Sequence, residues 1–311
     1  MHKILACITI IHNITEFFKV KMKKRIIFEG VGTALVTPFR GGHIDYAAFE
    51  LLVERQISAG VDALIIGGTT GEAATLSDRE RYALYTRAVD LVGGRVPVIL
   101  GAGTNDTRVA IKHARAAERL CADGILVVTP YYNKGTSAGL VEHYKRIAHS
   151  VDTPIILYNV PSRTGVNIGI GELSQLSEIE NVVGIKEAAD SSDRLVRIAS
   201  LGESLPLYAG NDSQTYTVMA LGGKGVISVV SNVYPSRMQR ITDEYLAGRP
   251  LEALASQASV LPLIDAMFIE TNPAPVKYAL SRLGLCREEM RLPMKEVGDK
   301  SREAIDRALK I

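Results

Sequence analysis

The feature that most constrains this chain is the repetition of one unit. Eight times in succession a short β-branched, apolar run is followed by a loop of Gly, Thr, Asn or Pro and then by a helical stretch. The runs are residues 33–37, 63–66, 96–100, 124–128, 154–158, 182–186, 205–209 and 225–229. They are apolar without alternation, so both faces of each strand are expected to be buried, as in a parallel sheet beneath helices. Helical stretches are expected from Asp45 to Ala59, after Ser77-Asp78, near Asp106-Thr107, after Ser137, near Ile170, from Asp193, from Ser213 and after Pro235. The crossovers have the length of βαβ units. Eight of them closing on themselves make an α/β fold, the (β/α)8 TIM barrel, from Gly30 to about Gly248. An open doubly wound sheet is disfavoured, because the repeats show no break and no glycine-rich dinucleotide loop opens the first helix. Beyond Gly248 the chain reads as a C-terminal helical subdomain, with Asn272-Pro273 starting one helix and Gly284 ending it. The expected division is residues 1–24 outside the fold, 25–248 the barrel and 249–311 the helical subdomain.

Composition narrows the function. Of 311 residues, 47% are hydrophobic and 23% charged, a balance that excludes a disordered, collagen-like or coiled-coil chain. Thirty-six Lys and Arg against 34 Asp and Glu leave a net charge of +2. That offers no global basic field to nucleic acid or an anionic membrane. Cys7, Cys121 and Cys286 lie far apart, and the six histidines are scattered. No metal site or disulfide framework is expected from them, and a reducing cytoplasm is the expected setting. An apolar stretch from Ile4 to Ile11 includes an Ala6-Cys7 pair like a lipoprotein cleavage site, but it is too short for export or for spanning a bilayer. Translation is expected to begin at Met22.

In such a barrel, chemistry sits on the loops that follow the strands at their carboxyl ends. The expected rim carries Gly67-Gly68-Thr69-Thr70-Gly71-Glu72, Thr129-Pro130-Tyr131-Tyr132-Asn133 and Tyr158-Asn159-Val160-Pro161-Ser162-Arg163-Thr164-Gly165. It also carries Lys186-Glu187-Ala188, Gly210-Asn211-Asp212 and Ile227-Ser228. Lys186 stands out. A lysine that ends an apolar run either snorkels to water, the commoner case, or is held inside the barrel. Desolvation favours a neutral amine over an ammonium, and a neutral amine is the nucleophile that forms a Schiff base with a carbonyl. Tyrosines and threonines on the same rim shift the balance, since a phenol beside a hydroxyl can pass the protons that imine formation requires. Taken alone, Tyr158 reads as a core tyrosine with a satisfied hydroxyl. The loop 67–72 has two readings of equal weight, a cradle of N–H groups for a carboxylate or phosphate and a βα turn that needs positive φ. Arg163 can fork onto a substrate carboxylate or pair with a surface acid. Gly101-Ala102-Gly103 lacks the third glycine of a nucleotide fingerprint, and Gly222-Gly223-Lys224-Gly225 lacks the Walker spacing, so neither reads as a nucleotide site.

Together these strings resemble the dihydrodipicolinate synthase family of pyruvate-dependent class I aldolases. Gly68-Thr69-Thr70-Gly71-Glu72 and Gly184-Ile185-Lys186-Glu187-Ala188 mark the wider aldolase group. Tyr131-Tyr132-Asn133 and Pro161-Ser162-Arg163-Thr164-Gly165 are more specific to the synthases, and the correspondence runs in order from about Gly32 to the carboxyl end. The resemblance implies that Lys186 forms an imine with pyruvate and that Tyr158 is the proton donor and acceptor. Thr69 and Tyr132 would complete a relay, Tyr132 reaching in from a neighbouring subunit. Thr70 and the Ile227 backbone would hold pyruvate, and Arg163 the carboxylate of L-aspartate 4-semialdehyde. The product would be 4-hydroxytetrahydrodipicolinate, on the diaminopimelate route to lysine. The resemblance further implies a homotetramer, a dimer of dimers, that needs no cofactor. A lyase for N-acetylneuraminate or a 2-keto-3-deoxy sugar acid would share Lys186, Tyr158 and the threonine loop. Arg163 favours the synthase, because a charged fork suits a short amino-acid carboxylate better than a polyol. A non-catalytic barrel used as a binding module is disfavoured by the intact set of Lys186, Tyr158 and Thr69. Inhibited members of the family bind lysine in an interface crevice. Asn105 and Tyr131 match it, but Ala73, Asp78, Arg81 and Val109 replace its serine, two histidines and glutamate, so weak or absent inhibition by lysine is expected.

Overall fold

A computed structural model describes residues 23–310. Eight parallel strands close into one barrel: β1 (Gly30–Ala34), β2 (Ala63–Ile66), β3 (Val98–Gly101), β4 (Gly124–Val128), β5 (Ile155–Asn159), β6 (Val182–Glu187), β7 (Leu207–Ala209) and β8 (Gly225–Ser228). Each bonds to the next, and β8 bonds back to β1. The chain returns over the outside through α1 (Tyr46–Ser58), α2 (Asp78–Val92), α3 (Thr107–Arg119), α4 (Ser137–Ala148), α5 (Ile170–Ser177), α6 (Ser192–Ala199), α7 (Thr215–Ala220) and α8 (Pro235–Leu246). This is the TIM barrel that the repeat predicts.

The strands are buried on both faces because each face has its own core. Inward side chains such as Ile65, Ile99, Leu126, Ile156, Tyr158 and Ile227 fill the barrel, and outward ones such as Leu64, Leu100, Val127 and Leu157 pack beneath the helices. Short polar side chains open several helices by satisfying their unpaired first N–H groups. Asp45, Asp106, Thr136 and Ser191 each accept from a first-turn N–H, and Ser77 with Glu80 forms a reciprocal capping box.

Two expectations are corrected. The first strand is Gly30–Ala34 rather than residues 33–37. Gly30 and Gly32 look like loop residues, yet a Cβ on Gly32 would come within 2.7 Å of Ile65 and 2.8 Å of Phe28. The bare backbone is what lets those two side chains fill the barrel. Lys24 belongs to the fold rather than to an extension: it is buried, and its Nζ donates to the Ile179 carbonyl at 2.6 Å. A lysine whose stem packs while its head meets a carbonyl looks, in sequence, like any other member of a basic cluster. Met22 and the apolar stretch before it lie outside the described residues.

After the barrel come α9 (Pro250–Met267), α10 (Ala274–Arg282) and α11 (Asp299–Leu309). Gly284 follows α10 at φ +71°, as expected of a residue that ends a helix. Residues 283–298 are not helical; this stretch returns toward the carboxyl ends of the strands, where Arg291 lies over the Phe39 ring, 4.5 Å from its centroid. Among the described residues no helix is long and apolar enough to cross a membrane.

Candidate active site

Lys186 and Tyr158 face each other in register across β6 and β5. Lys186 is 5% exposed and Tyr158 6%, and the Lys186 Nζ lies 4.4 Å from the phenol ring centroid. The lysine therefore does not snorkel; its amine sits against an aromatic face inside the barrel. The strand ends around this pair are tied down by their neighbours. The Tyr158 carbonyl accepts from both the N–H and the hydroxyl of Thr129, each at 2.9 Å. The next residues along, Asn159 and Glu187, bond at 2.8 Å, and the other Glu187 oxygen accepts from Arg194 Nε at 2.9 Å. Such bonds fix the reacting groups without using them up.

Asp212 closes the β7 side. It is fully buried; it accepts from the Ser228 hydroxyl and, at 3.0 Å, from the Val229 N–H. These bonds bind the loop after β7 to the end of β8, next to Ile227. Burial pushes the Asp212 carboxyl up, while the Ser228 bond, the Val229 N–H and the Lys186 charge pull it down.

The loop 67–72 turns out to be a turn that also leaves donors unspent. Gly67 has φ +67°, and a Cβ there would meet the Tyr85 hydroxyl at 2.2 Å. That hydroxyl donates to the Gly101 carbonyl at 2.6 Å and so braces the loop against β3. Among the described residues the backbone N–H groups of Thr69 and Thr70 find no acceptor, which leaves them available to an anion. Thr69, Tyr131, Tyr158, Arg163 and Asn272 line a cavity of about 400 Å³, room for small acids. Thr70 is buried behind it, its hydroxyl accepting from Asn272 Nδ2 at 2.9 Å. Arg163 stands in the one-turn helix Pro161–Thr164 after β5 and donates from Nη2 to the Asn272 carbonyl at 2.9 Å. Ile227 is buried on β8 within the barrel interior.

Tyr132 is placed differently. It is 89% exposed and does not line the cavity, although Tyr131 does. Its φ of +69° is left-handed, a conformation that costs a bulky residue on the order of 1 kcal/mol. One chain thus gathers Lys186, Tyr158, Thr69, Thr70, Ile227 and Arg163 at the barrel mouth and turns Tyr132 outward. Two residues that the sequence left without a role also belong here. Asp212 stood on the rim with nothing to single it out. Asn272 read only as a helix start, and it lies 202 residues from Thr70, so no local spacing could link them.

A (β/α)8 barrel with a buried lysine and tyrosine side by side at the carboxyl ends of adjacent strands defines an enzyme of the class I aldolase type. Within that class the chain belongs to the dihydrodipicolinate synthetase family, whose model matches residues 27–311. The 4-hydroxy-tetrahydrodipicolinate synthase of Thermotoga neapolitana is 46% identical over 289 residues, covering 91% of this chain and 98% of that one. That of Alkaliphilus oremlandii is 48% identical over 280 residues, covering 90% and 97%. The crystal structure of the Thermotoga maritima dihydrodipicolinate synthase matches with a TM-score of 0.90 at 44% identity, over 92% of this chain and 98% of that one. The Aquifex aeolicus synthase matches with a TM-score of 0.89 at 43% identity, over 91% and 97%.

Proposed function

We propose that this chain is a 4-hydroxy-tetrahydrodipicolinate synthase, condensing pyruvate with L-aspartate 4-semialdehyde on the diaminopimelate route to lysine. The observation that carries this reading is the buried Lys186–Tyr158 contact beside a cavity shared by Tyr158, Thr69 and Arg163. The Lys186 amine attacks the keto carbon of pyruvate, and the carbinolamine loses water to give the imine. Loss of a methyl proton gives an enamine, whose carbon attacks the aldehyde carbon while the aldehyde oxygen takes up a proton. The substrate's own amino group then attacks the imine carbon and expels the Lys186 amine, closing the ring; one water is released overall. Tyr158 donates and accepts these protons, with Thr69 and Tyr132 as its relay. Thr70 and the Ile227 backbone hold pyruvate, and Arg163 holds the carboxylate of the aldehyde. The exposure of Tyr132 supports a relay completed by a second copy of the chain, within a dimer of dimers. A relative 45% identical to this chain is described as a monomeric dihydrodipicolinate synthase variant, so the barrel does not by itself dictate assembly. The free thiols Cys121 and Cys286 accord with a reducing cytoplasm.

Treatment with pyruvate and borohydride tests the mechanism. Peptide mass analysis should find a reduced three-carbon adduct on Lys186, and a panel of aldehydes should show fastest turnover with L-aspartate 4-semialdehyde. Unmodified Lys186 in folded protein, or a preference for a sugar aldehyde, would refute the reading.

A further inference from the structure

The threonine loop is held from outside the barrel, by the stretch that follows α9. Lys277, fully buried on α10, pairs with Glu72, and the Arg291 N–H donates to the other Glu72 oxygen at 3.1 Å. Asn272 reaches further in. Its Nδ2 donates to the Thr70 hydroxyl at 2.9 Å, and its backbone oxygen accepts from Arg163 Nη2 at 2.9 Å. One residue therefore touches the group assigned to the carboxylate of pyruvate with its side chain, and the group assigned to the carboxylate of the aldehyde with its backbone.

The side-chain contact has a direction. A threonine hydroxyl has one hydrogen and two lone pairs. The Asn272 amide fills a lone pair, so the Thr70 hydrogen turns away from it, and among the described residues that hydrogen has no acceptor. An incoming anion can take it. Without the amide, no other contact among the described residues selects this rotor from the staggered positions open to a hydroxyl. Asn272 does this at the expense of its own acceptor: its Oδ1 is buried and unpartnered. Buried polar groups in native structures are nearly always satisfied. Among the described residues, the amide's hydrogen bond is to a site residue, Thr70.

We propose that Asn272 is a positioning residue for the reaction, setting the Thr70 hydroxyl so that its proton meets the carboxylate of the keto acid. Through it, the helical remainder of the chain serves the barrel's chemistry. This rests on the Schiff-base reading above, and the test separates the two.

The full chain is compared with Asn272→Ala, Asn272→Asp, Thr70→Val and the Thr70→Val/Asn272→Ala double variant. Two readouts are taken: the pyruvate concentration that half-saturates borohydride trapping at Lys186, and kcat and KM for each substrate. Asn272→Ala should raise the pyruvate half-saturation about 10-fold, the loss of a hydrogen bond oriented toward a charged group. Maximal trapping and the aldehyde KM should be unchanged, because the backbone oxygen that meets Arg163 is kept. Asn272→Asp should raise it at least as much, since a carboxylate takes the Thr70 proton for itself. In the Thr70→Val background, Asn272→Ala should add nothing. Unchanged pyruvate half-saturation in folded Asn272 variants overturns the proposal, as does a fall in kcat alone or a multiplication of the two single effects. If Asn272→Ala fails to fold by thermal unfolding, the isosteric Asn272→Asp carries the same test. Failure of the parent chain to trap pyruvate refutes the Schiff-base reading instead.

Discussion

At the scale of single residues, the charges beside the cavity decide what it admits. Arg81 is buried there, donating to the Tyr85 hydroxyl at 3.2 Å and to the Ala73 carbonyl at 2.6 Å. Asp78, an acid on the same side, is already engaged by Lys112 at 2.6 Å and by His113 Nε2 at 3.1 Å. Those bonds, to Lys112 first and His113 second, hold its carboxyl below the usual range. Val109 offers no charge. Among the described residues, a lysine molecule entering this crevice would meet the fixed Arg81 guanidinium and an Asp78 carboxylate already engaged. Losing one partner of a desolvated charge pair costs roughly 2–5 kcal/mol, ~30-fold or more in affinity. Initial rates with both substrates near half-saturation should therefore be unaffected by L-lysine up to the millimolar range; half-inhibition below it would show that Val109 is misread. The same scale explains what could be read from sequence. Lys186 was legible because it ends an apolar run, where a charged side chain is conspicuous; Tyr158 alone reads as a core tyrosine, and only its company on the rim and the family resemblance give it a role. Asn272 was not, because its meaning lies in a contact with Thr70 that only the closed fold creates.

At the scale of elements, the non-helical stretch 283–298 is fastened to α2 by one arginine. Arg291 Nη1 donates to Glu80 Oε2 at 2.9 Å, and Nη2 donates to Oε1. The Arg291 bonds chiefly, aided by Ser77, lower the Glu80 carboxyl from 4.5 to about 2. The folded value lies below the unfolded one, so the stability this group contributes is complete above pH 4.5 and is lost as pH falls toward about 2. Glu80→Gln should lower Tm by roughly 2 °C at neutral pH, the effect of about 1 kcal/mol in a chain of this size. The gap between variant and parent should narrow by pH 3; a constant gap between pH 7 and pH 3 would contradict the assignment. Helix starts such as Ser77 were legible because caps and boxes are local chemistry. The first strand differs from expectation because Gly30 makes room for Asp62, and Gly32 for Phe28 and Ile65 across the barrel, a demand that local propensity does not register. Within the expected helical subdomain the stretch 283–298 is held instead by long-range bonds, Arg291 donating to Glu72, Glu80 and Gly42, which no local pattern announces.

At the scale of the whole molecule, the proposed relay is incomplete in one chain. Tyr132 is held outward rather than left loose: the Asn133 N–H donates to the Tyr131 carbonyl at 2.9 Å, and Asn133 Nδ2 to the Asn105 carbonyl at 3.0 Å. A left-handed tyrosine persists only where its surroundings over-determine it, and such strain collects at functional sites. If a second copy receives Tyr132, each working site takes Lys186 from one chain and Tyr132 from the other. Tyr132→Phe should then lower turnover about 100-fold, as the loss of a proton-relay group does, while Lys186→Ala abolishes imine formation but still assembles. Mixing the two inactive variants should restore activity. Half of the randomly exchanged dimers are mixed, and each mixed dimer holds one intact site of two, so recovery should approach roughly a quarter of the parent rate under twofold symmetry. Native mass spectrometry confirms exchange, and light scattering the assembly. A monomer in solution, or exchanged dimers with no recovered turnover, would sink the shared site and leave the outward strain of Tyr132 without this explanation.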